Sequence, residues 1–112
     1  MILSFKDRKL ADLCNDDRRL QKTYGEKGRK KVRSRLDDLD AAGTLAEMAA
    51  LPAAHCEELK GDRAGQFSVR VHDAHRIIFT PDHDPVPVKP DGGVDWRAVT
   101  AIRIYSIEDY HD

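Results

Sequence analysis

The chain has 112 residues, 35% charged and 40% apolar, a globular composition with room for one modest core, so a single domain spanning residues 1–112 is expected. No apolar run reaches the length of a membrane span, and Met1-Ile2-Leu3-Ser4-Phe5-Lys6 is too short and too soon charged for a signal peptide. The net charge of −1 argues against a general nucleic-acid binder, but the charge is segregated, with a basic stretch before residue 36 and acids gathered after it.

Ile2 to Phe5 reads as a short strand. Lys6-Asp7 leads into a helix with Leu10, Leu13 and Cys14 on one face. Asn15-Asp16-Asp17 is a break that supplies an N-cap for the next helix. Leu20 and Tyr24 lie on that helix, and Gly25 ends or interrupts it. A further helix runs from about Lys27 to Ala41 with a narrow stripe of Val32, Leu36 and Leu39. Arg18, Arg19, Lys22, Lys27, Arg29, Lys30, Lys31, Arg33 and Arg35 crowd these helices, with Glu26 as the only acid among them. Such a run is either a solvated face or an electrostatic footprint for a polyanion. Gly43 is a natural stop. Thr44 is placed to cap a short helix through Leu45, Met48, Ala49 and Leu51, which Pro52 ends.

After Pro52 the pattern turns to β. His55-Cys56-Glu57-Glu58-Leu59 reads as an edge strand. Phe67, Val69 and Val71 alternate with Ser68, Arg70 and His72, and Ile77 and Phe79 repeat the pattern. A three-residue turn at His72-Asp73-Ala74 keeps all five apolar side chains on one face. It pairs Phe67 with Phe79 and Val69 with Ile77, and sets Arg70 opposite Arg76 on the other face. Like charges opposed across a strand pair cost roughly 0.2–1 kcal/mol, which points to an anion between them. Pro81 to Gly93, with four prolines, is expected to form a loop rather than ladder strand. Asp95 to Val99 fits one helical turn packing Trp96 on the body. In the last strand, Ala101 to Glu108, the apolar phase shifts from Ile102 and Ile104 to Tyr105 and Ile107, which a bulge or a strong curl near Tyr105 would explain.

Helices first and an antiparallel sheet after them make an α+β domain, with the helices on one face of a curved antiparallel sheet of about four strands. Cys14 and Cys56, without CxxC spacing, read as reduced thiols of a cytoplasmic protein. His72 and His75, with His83, His55 or Cys56, lack metal-ligand spacing, so no metal site is expected. Lys60, Arg63, Arg70 and Arg76 sit together in the hairpin and the loop before it. Arginine suits bidentate phosphate contacts and lysine a point charge. Tyr110 and His111 can exchange protons with a substrate.

Leu59-Lys60-Gly61-Asp62-Arg63-Ala64-Gly65-Gln66-Phe67-Ser68-Val69-Arg70, then Arg76-Ile77-Ile78-Phe79 and the terminal Glu108-Asp109-Tyr110-His111, resemble the HigB group of the RelE/ParE toxin superfamily. Ile2-Leu3-Ser4-Phe5 also looks like that group's opening. The loop with Asp91-Gly92-Gly93 and Trp96 is similar to a longer-loop subgroup sometimes labelled killer-suppression proteins. The resemblance implies a RelE-like fold and the toxin of a bacterial type II toxin–antitoxin pair, a ribosome-dependent mRNA endonuclease. It implies cleavage by ribose 2′-hydroxyl attack on the adjacent phosphate, without metal or other cofactor. It makes Lys60, Arg70 and Arg76, with Arg63, the phosphate-binding cations. Tyr110 and His111 orient the nucleotide and move protons, and Asp109 supports His111. Its expected partners are a helix-turn-helix antitoxin (HigA-like), the ribosome and mRNA, with operator DNA reached only through the antitoxin complex and no membrane. Many HigB-like sequences carry a histidine three residues before the lysine, where this chain has Glu57. Glu57 and His55 therefore both stand as general base, and the sequence does not choose. A ParE-like gyrase inhibitor and an inactive RNA- or protein-binding module are the alternatives on the same fold.

Overall fold

The computed structural model describes residues 1–109. β1 (Ile2–Phe5) is followed by α1 (Arg8–Cys14), α2 (Asp17–Ala41) and α3 (Leu45–Ala49). Next come β2 (Glu57–Glu58), β3 (Phe67–Arg70), β4 (His75–Pro81) and β5 (Ala101–Asp109). The sheet order is β1-β5-β4-β3-β2. β2 to β5 form an antiparallel meander, whereas β1 lies parallel to β5. The sheet is therefore mixed and five-stranded, not an antiparallel one of about four strands. β1 and β2 occupy opposite edges, so the helices between them must cross one face of the sheet. That crossing buries the helical stripes against the strands.

Capping explains the helix starts. Asp7 accepts from the Leu10 N–H at 2.9 Å, and Asp16 accepts from Arg18 at 2.9 Å. Thr44 holds the N-cap position of α3 but makes no side-chain cap bond; the Glu47 carboxylate reaches back to the Gly43 N–H instead. Within α2, Gly25 sits at φ 77 and ψ 178, which only glycine adopts readily. The chain reverses there. Arg33 meets Asp17 at 3.0 Å and Arg29 donates to Gln21 at 3.0 Å, so the two halves of α2 run back along each other about Gly25. Gly28 permits the close approach: a Cβ there would sit 2.5 Å from the Tyr24 Cβ.

One hydrophobic cluster joins Cys14, Leu20, Val32, Leu36, Leu39, Leu45 and Met48 of the helices to Phe67, Val69, Ile77, Phe79, Ile102 and Ile104 of the sheet. Phe67 stacks on Phe79 (5.9 Å between centroids) and meets the Trp96 ring edge-on at 5.1 Å, so the helical turn Trp96–Ala98 is anchored to the core. The bulge lies where the apolar phase shifts: Ile78 pairs with Ser106 and Phe79 with Ile104, leaving Tyr105 as the extra residue.

The proline-rich segment is more ordered than a bare loop. Pro81 closes β4, and Val88 bridges Val94. Pro81 is tolerated because successive N–H groups alternate sides. The Asp82 N–H bonds Ala101 O on β5 at 2.8 Å, so the missing donor faces the other side, where β3 has already ended.

Candidate functional site

The hairpin register is the one parity requires: Phe67 pairs with Phe79, Val69 with Ile77 and Arg70 with Arg76. Phe67, Val69, Ile77 and Phe79 join the core, so Ser68, Arg70 and Arg76 face the other side. Neighbouring strands extend both rungs. Glu57 on β2 pairs with Ser68, and on β5 Ser106 pairs with Ile78 and Glu108 with Arg76. The face away from the helices thus carries Glu57-Ser68-Ile78-Ser106 beside Arg70-Arg76-Glu108.

Arg76 is at the centre and only 7% exposed. Its Nη1 lies 3.3 Å from Glu57 Oε1 and donates to the buried Ser68 Oγ at 3.3 Å. A cation taken this far out of water needs such partners. The opposition of Arg70 and Arg76 is real, but the anion beside Arg76 is internal, the Glu57 carboxylate. Arg70 faces solvent, with no ion pair to its side chain among the described residues. Its carbonyl accepts from Arg35 Nε at 2.7 Å, while Arg35 Nη1 holds Asp38 at 2.8 Å. Arg35 is therefore a buried tie between α2 and β3 rather than part of a solvated basic face.

β2 is shorter than the strand expected over His55 to Leu59. His55 has left-handed backbone (φ 46) and closes the turn Pro52–Ala54. It shares no strand face with Glu57, yet its Nε2 comes within 3.9 Å of Glu57 Oε2 around that turn. The carboxylate thus sits between an imidazole and a guanidinium. Between them in sequence, the Cys56 thiol is pushed up to about 12, first by burial and then by the Glu57 charge, so it is no nucleophile near neutral pH.

Lys60 is exposed where the helical turn Gly61–Arg63 begins. Arg63, a phosphate ligand by resemblance, is engaged inside the protein. Its Nη1 and Nη2 donate to Glu108 Oε1 and Oε2 at 3.1 and 2.9 Å, and its Nε donates to Gln66 at 2.9 Å. Ser106 Oγ donates to Glu108 Oε2 at 2.6 Å. The Arg63 bonds first, and Ser106 after them, hold the Glu108 carboxyl below its ordinary range against the opposing effect of burial. Asp109 ends β5 opposite His75. Tyr110 and His111 lie outside the described residues.

The histidines considered for metal binding are spread apart. His72 pairs with Asp73 at 3.1 Å, His75 meets the Tyr24 ring edge-on at 5.5 Å, and His83 Nε2 accepts from the Thr100 N–H at 3.0 Å. Among the described residues no group of three His, Cys, Asp or Glu could hold a metal ion.

The family described as the RelE-like toxin of type II toxin–antitoxin system HigB matches residues 3–87. The chain belongs to this HigB-like family. Toxin HigB-1 of Vibrio cholerae is 32% identical over 79 residues, covering 70% of this chain and 82% of that protein. The fold is similar to the YoeB/ParE toxin from Agrobacterium tumefaciens (TM-score 0.59, 14% identity, covering 99% of this chain and 100% of that one). It is also similar to YoeB in the YoeB–YefM complex from Staphylococcus aureus (TM-score 0.54, 21% identity, covering 100% and 98%). The chain is thus a RelE-superfamily toxin of the type II toxin–antitoxin class. In this HigB-like chain the matched segment contains Glu57, Lys60, Arg63, Arg70 and Arg76, and it stops in the proline-rich segment before β5.

Three residues of the constellation escaped the sequence reading: Ser68 under Arg76, and Ser106 with Glu108 behind Arg63. Ser68 shares the parity of Arg70, which was signal enough to find it. The phase of Ser106 and Glu108 could be set only by placing the bulge at Tyr105.

Proposed function

We propose that this chain cuts mRNA on the ribosome by promoting attack of a ribose 2′-hydroxyl on the adjacent phosphate. The observation that carries the reading is the Glu57 carboxylate held 3.3 Å from Arg76 on the face away from the helices, beside the outward Arg70. The reaction needs a base for the 2′ proton, cations for the phosphorane charge and an acid for the departing 5′ oxygen. Glu57 takes the proton, directly or through His55. Arg76 orients Glu57 and, with Arg70 and Lys60, meets the charge that builds on phosphorus. Tyr110 and His111, by resemblance, orient the nucleotide and return a proton to the leaving oxygen, with Asp109 behind His111. The products are a cyclic phosphate and a free 5′-hydroxyl. A helix-turn-helix antitoxin is the partner that restrains it, and the fold's likeness to the YoeB–YefM complex supports an antitoxin of some kind.

Expression of the chain should arrest growth and shorten mRNA on translating ribosomes. Arg76→Ala and His111→Ala should each relieve both effects. Persistent toxicity in both variants would sink the proposal. Intact mRNA with DNA damage would point to gyrase inhibition, and harmless soluble expression to a binding module. Comparing Glu57→Gln with His55→Ala identifies the base, whose loss should lower cleavage by about 10²–10⁴-fold.

A further inference from the structure

Two carboxylates compete by position for Arg76. Glu57 lies 3.3 Å from its Nη1, and Glu108 is its direct register partner on β5. Residues directly opposite on one face of an antiparallel pair have Cβ atoms about 4.5–5.5 Å apart, close enough for an arginine and a glutamate to meet. The Glu108 carboxylate is nevertheless turned to Arg63. Nη1 and Nη2 of Arg63 donate to its two oxygens at 3.1 and 2.9 Å, and Ser106 Oγ adds a third bond at 2.6 Å. This is the forked geometry in which a guanidinium holds a carboxylate most firmly. Gln66 fixes Arg63 from behind. Its Oε1 accepts from Arg63 Nε at 2.9 Å, and its backbone N–H donates to the Arg63 carbonyl at 3.0 Å.

We infer that Arg63 is a positioning residue rather than a phosphate ligand: it holds Glu108 away from Arg76 and so leaves the Arg76 charge to Glu57 and the RNA phosphate. The inference rests on the ribonuclease reading proposed above and assigns Arg63 its part in that site. Arg76 is only 7% exposed, so little water screens it from an anion placed beside it. A released Glu108 stands opposite that guanidinium and would pair with it. Arg76 would then carry two carboxylates. Glu57, the proposed base, would share its cation, and the charge building on phosphorus would meet a rung already neutralised. A phosphate bound at Arg63 would bring about the same result, because it would have to displace Glu108 from the fork. Arg63 thus serves the reaction through Glu108, without touching RNA. The low pKa of Glu108 agrees, since a carboxyl charged throughout the neutral range needs a standing partner.

The test measures single-turnover cleavage of mRNA on programmed ribosomes, at saturating full-length chain, for the wild type, Arg63→Ala and Arg63→Ala/Glu108→Gln. Circular dichroism and urea midpoints establish that each variant is folded. Arg63→Met, which keeps the bulk of the side chain, replaces Arg63→Ala if alanine does not fold. Arg63→Ala should lower the rate about tenfold or more, a part of the roughly 10²–10³-fold that loss of a charge-stabilising donor costs. Adding Glu108→Gln should restore most of that loss, because the competing charge is gone although the clasp stays broken. An Arg63 that binds phosphate gives no such recovery, and a purely structural tie leaves all folded variants equal in rate. Either result overturns the inference. Crystal structures of the wild type and Arg63→Ala give a second measurement that needs no RNA. In Arg63→Ala the Glu108 carboxylate should lie within about 4 Å of the Arg76 guanidinium. A Glu108 turned to solvent there overturns the inference as well. A wild-type chain that cuts no mRNA removes the ribonuclease reading by itself, and the two crystal structures still decide whether Arg63 keeps Glu108 from Arg76.

Discussion

Truncating Arg76 to alanine would strip a guanidinium from beside Glu57 and Ser68. Breaking a fully buried pair costs roughly 3–5 kcal/mol, but the Glu57 side chain is 43% exposed and water would take up part of its charge. We expect a loss of about 1–3 kcal/mol, read as a lower urea midpoint at unchanged slope. Arg76→Lys keeps the charge but not the fork, so it should fold better than Arg76→Ala and still lose most cleavage. Glu108 offers a pH test. Its folded pKa is depressed by Arg63 from an ordinary 4.5, so its stabilisation is present above that value and is lost as pH falls through the folded pKa. Urea titrations should show wild type more stable than Glu108→Gln at neutral pH, with the gap closing on acidification below about pH 4.5. An unchanged gap would mean that the carboxylate's charge contributes nothing to stability. Arg63 and Glu108 also mark where reading residues from sequence fails. The pair is 45 residues apart, and nothing local distinguishes an arginine awaiting a phosphate from one already holding a carboxylate.

Among the elements, the αα-hairpin about Gly25 depends on two glycines. Gly25 has open space around its Cα, so alanine there would clash with nothing; its cost is backbone strain at φ 77 and ψ 178. That should amount to about 1–3 kcal/mol. Gly28→Ala should also destabilise, for the opposite reason. Its backbone is helical, but the added carbon meets Tyr24. Urea midpoints would measure both. If Gly25→Ala is neutral, the reversal at that point is not a feature of the folded chain. The β3–β4 register is legible in the sequence because hairpin parity is local: three turn residues and five apolar side chains admit one alignment. The bulge was legible for the same reason, as a phase change within one strand. The pairing of β1 with β5 was not. It joins Ile2 to Ala101, and a four-residue strand carries no signal for a partner so distant.

For the molecule as a whole, the segregated charge resolves into two surfaces. The ion pairs that Asp16, Asp17, Glu26 and Asp38 make with α2 consume much of the basic stretch. Among the exposed cations of α2 that have no ion pair among the described residues are Arg18 and Lys22 on its first half and Lys27 and Lys31 on its second half. The second half of α2 is tied to the hairpin, since Arg35 holds the Arg70 carbonyl and Gly28 lies beside His72. Lys27 and Lys31 therefore belong to the part of the molecule that presents Arg70, and on the proposed function they are the cations expected to meet RNA. Lys27→Glu/Lys31→Glu should weaken ribosome association and lower the slope of log K against log salt by about 1–2, as expected for two lost phosphate contacts. Co-sedimentation with ribosomes across a salt series would measure this. Arg18→Glu/Lys22→Glu, on the first half of α2, should leave that slope alone. If both pairs shift the ribosomal slope equally, the field acts as one undivided patch and the separation of surfaces fails.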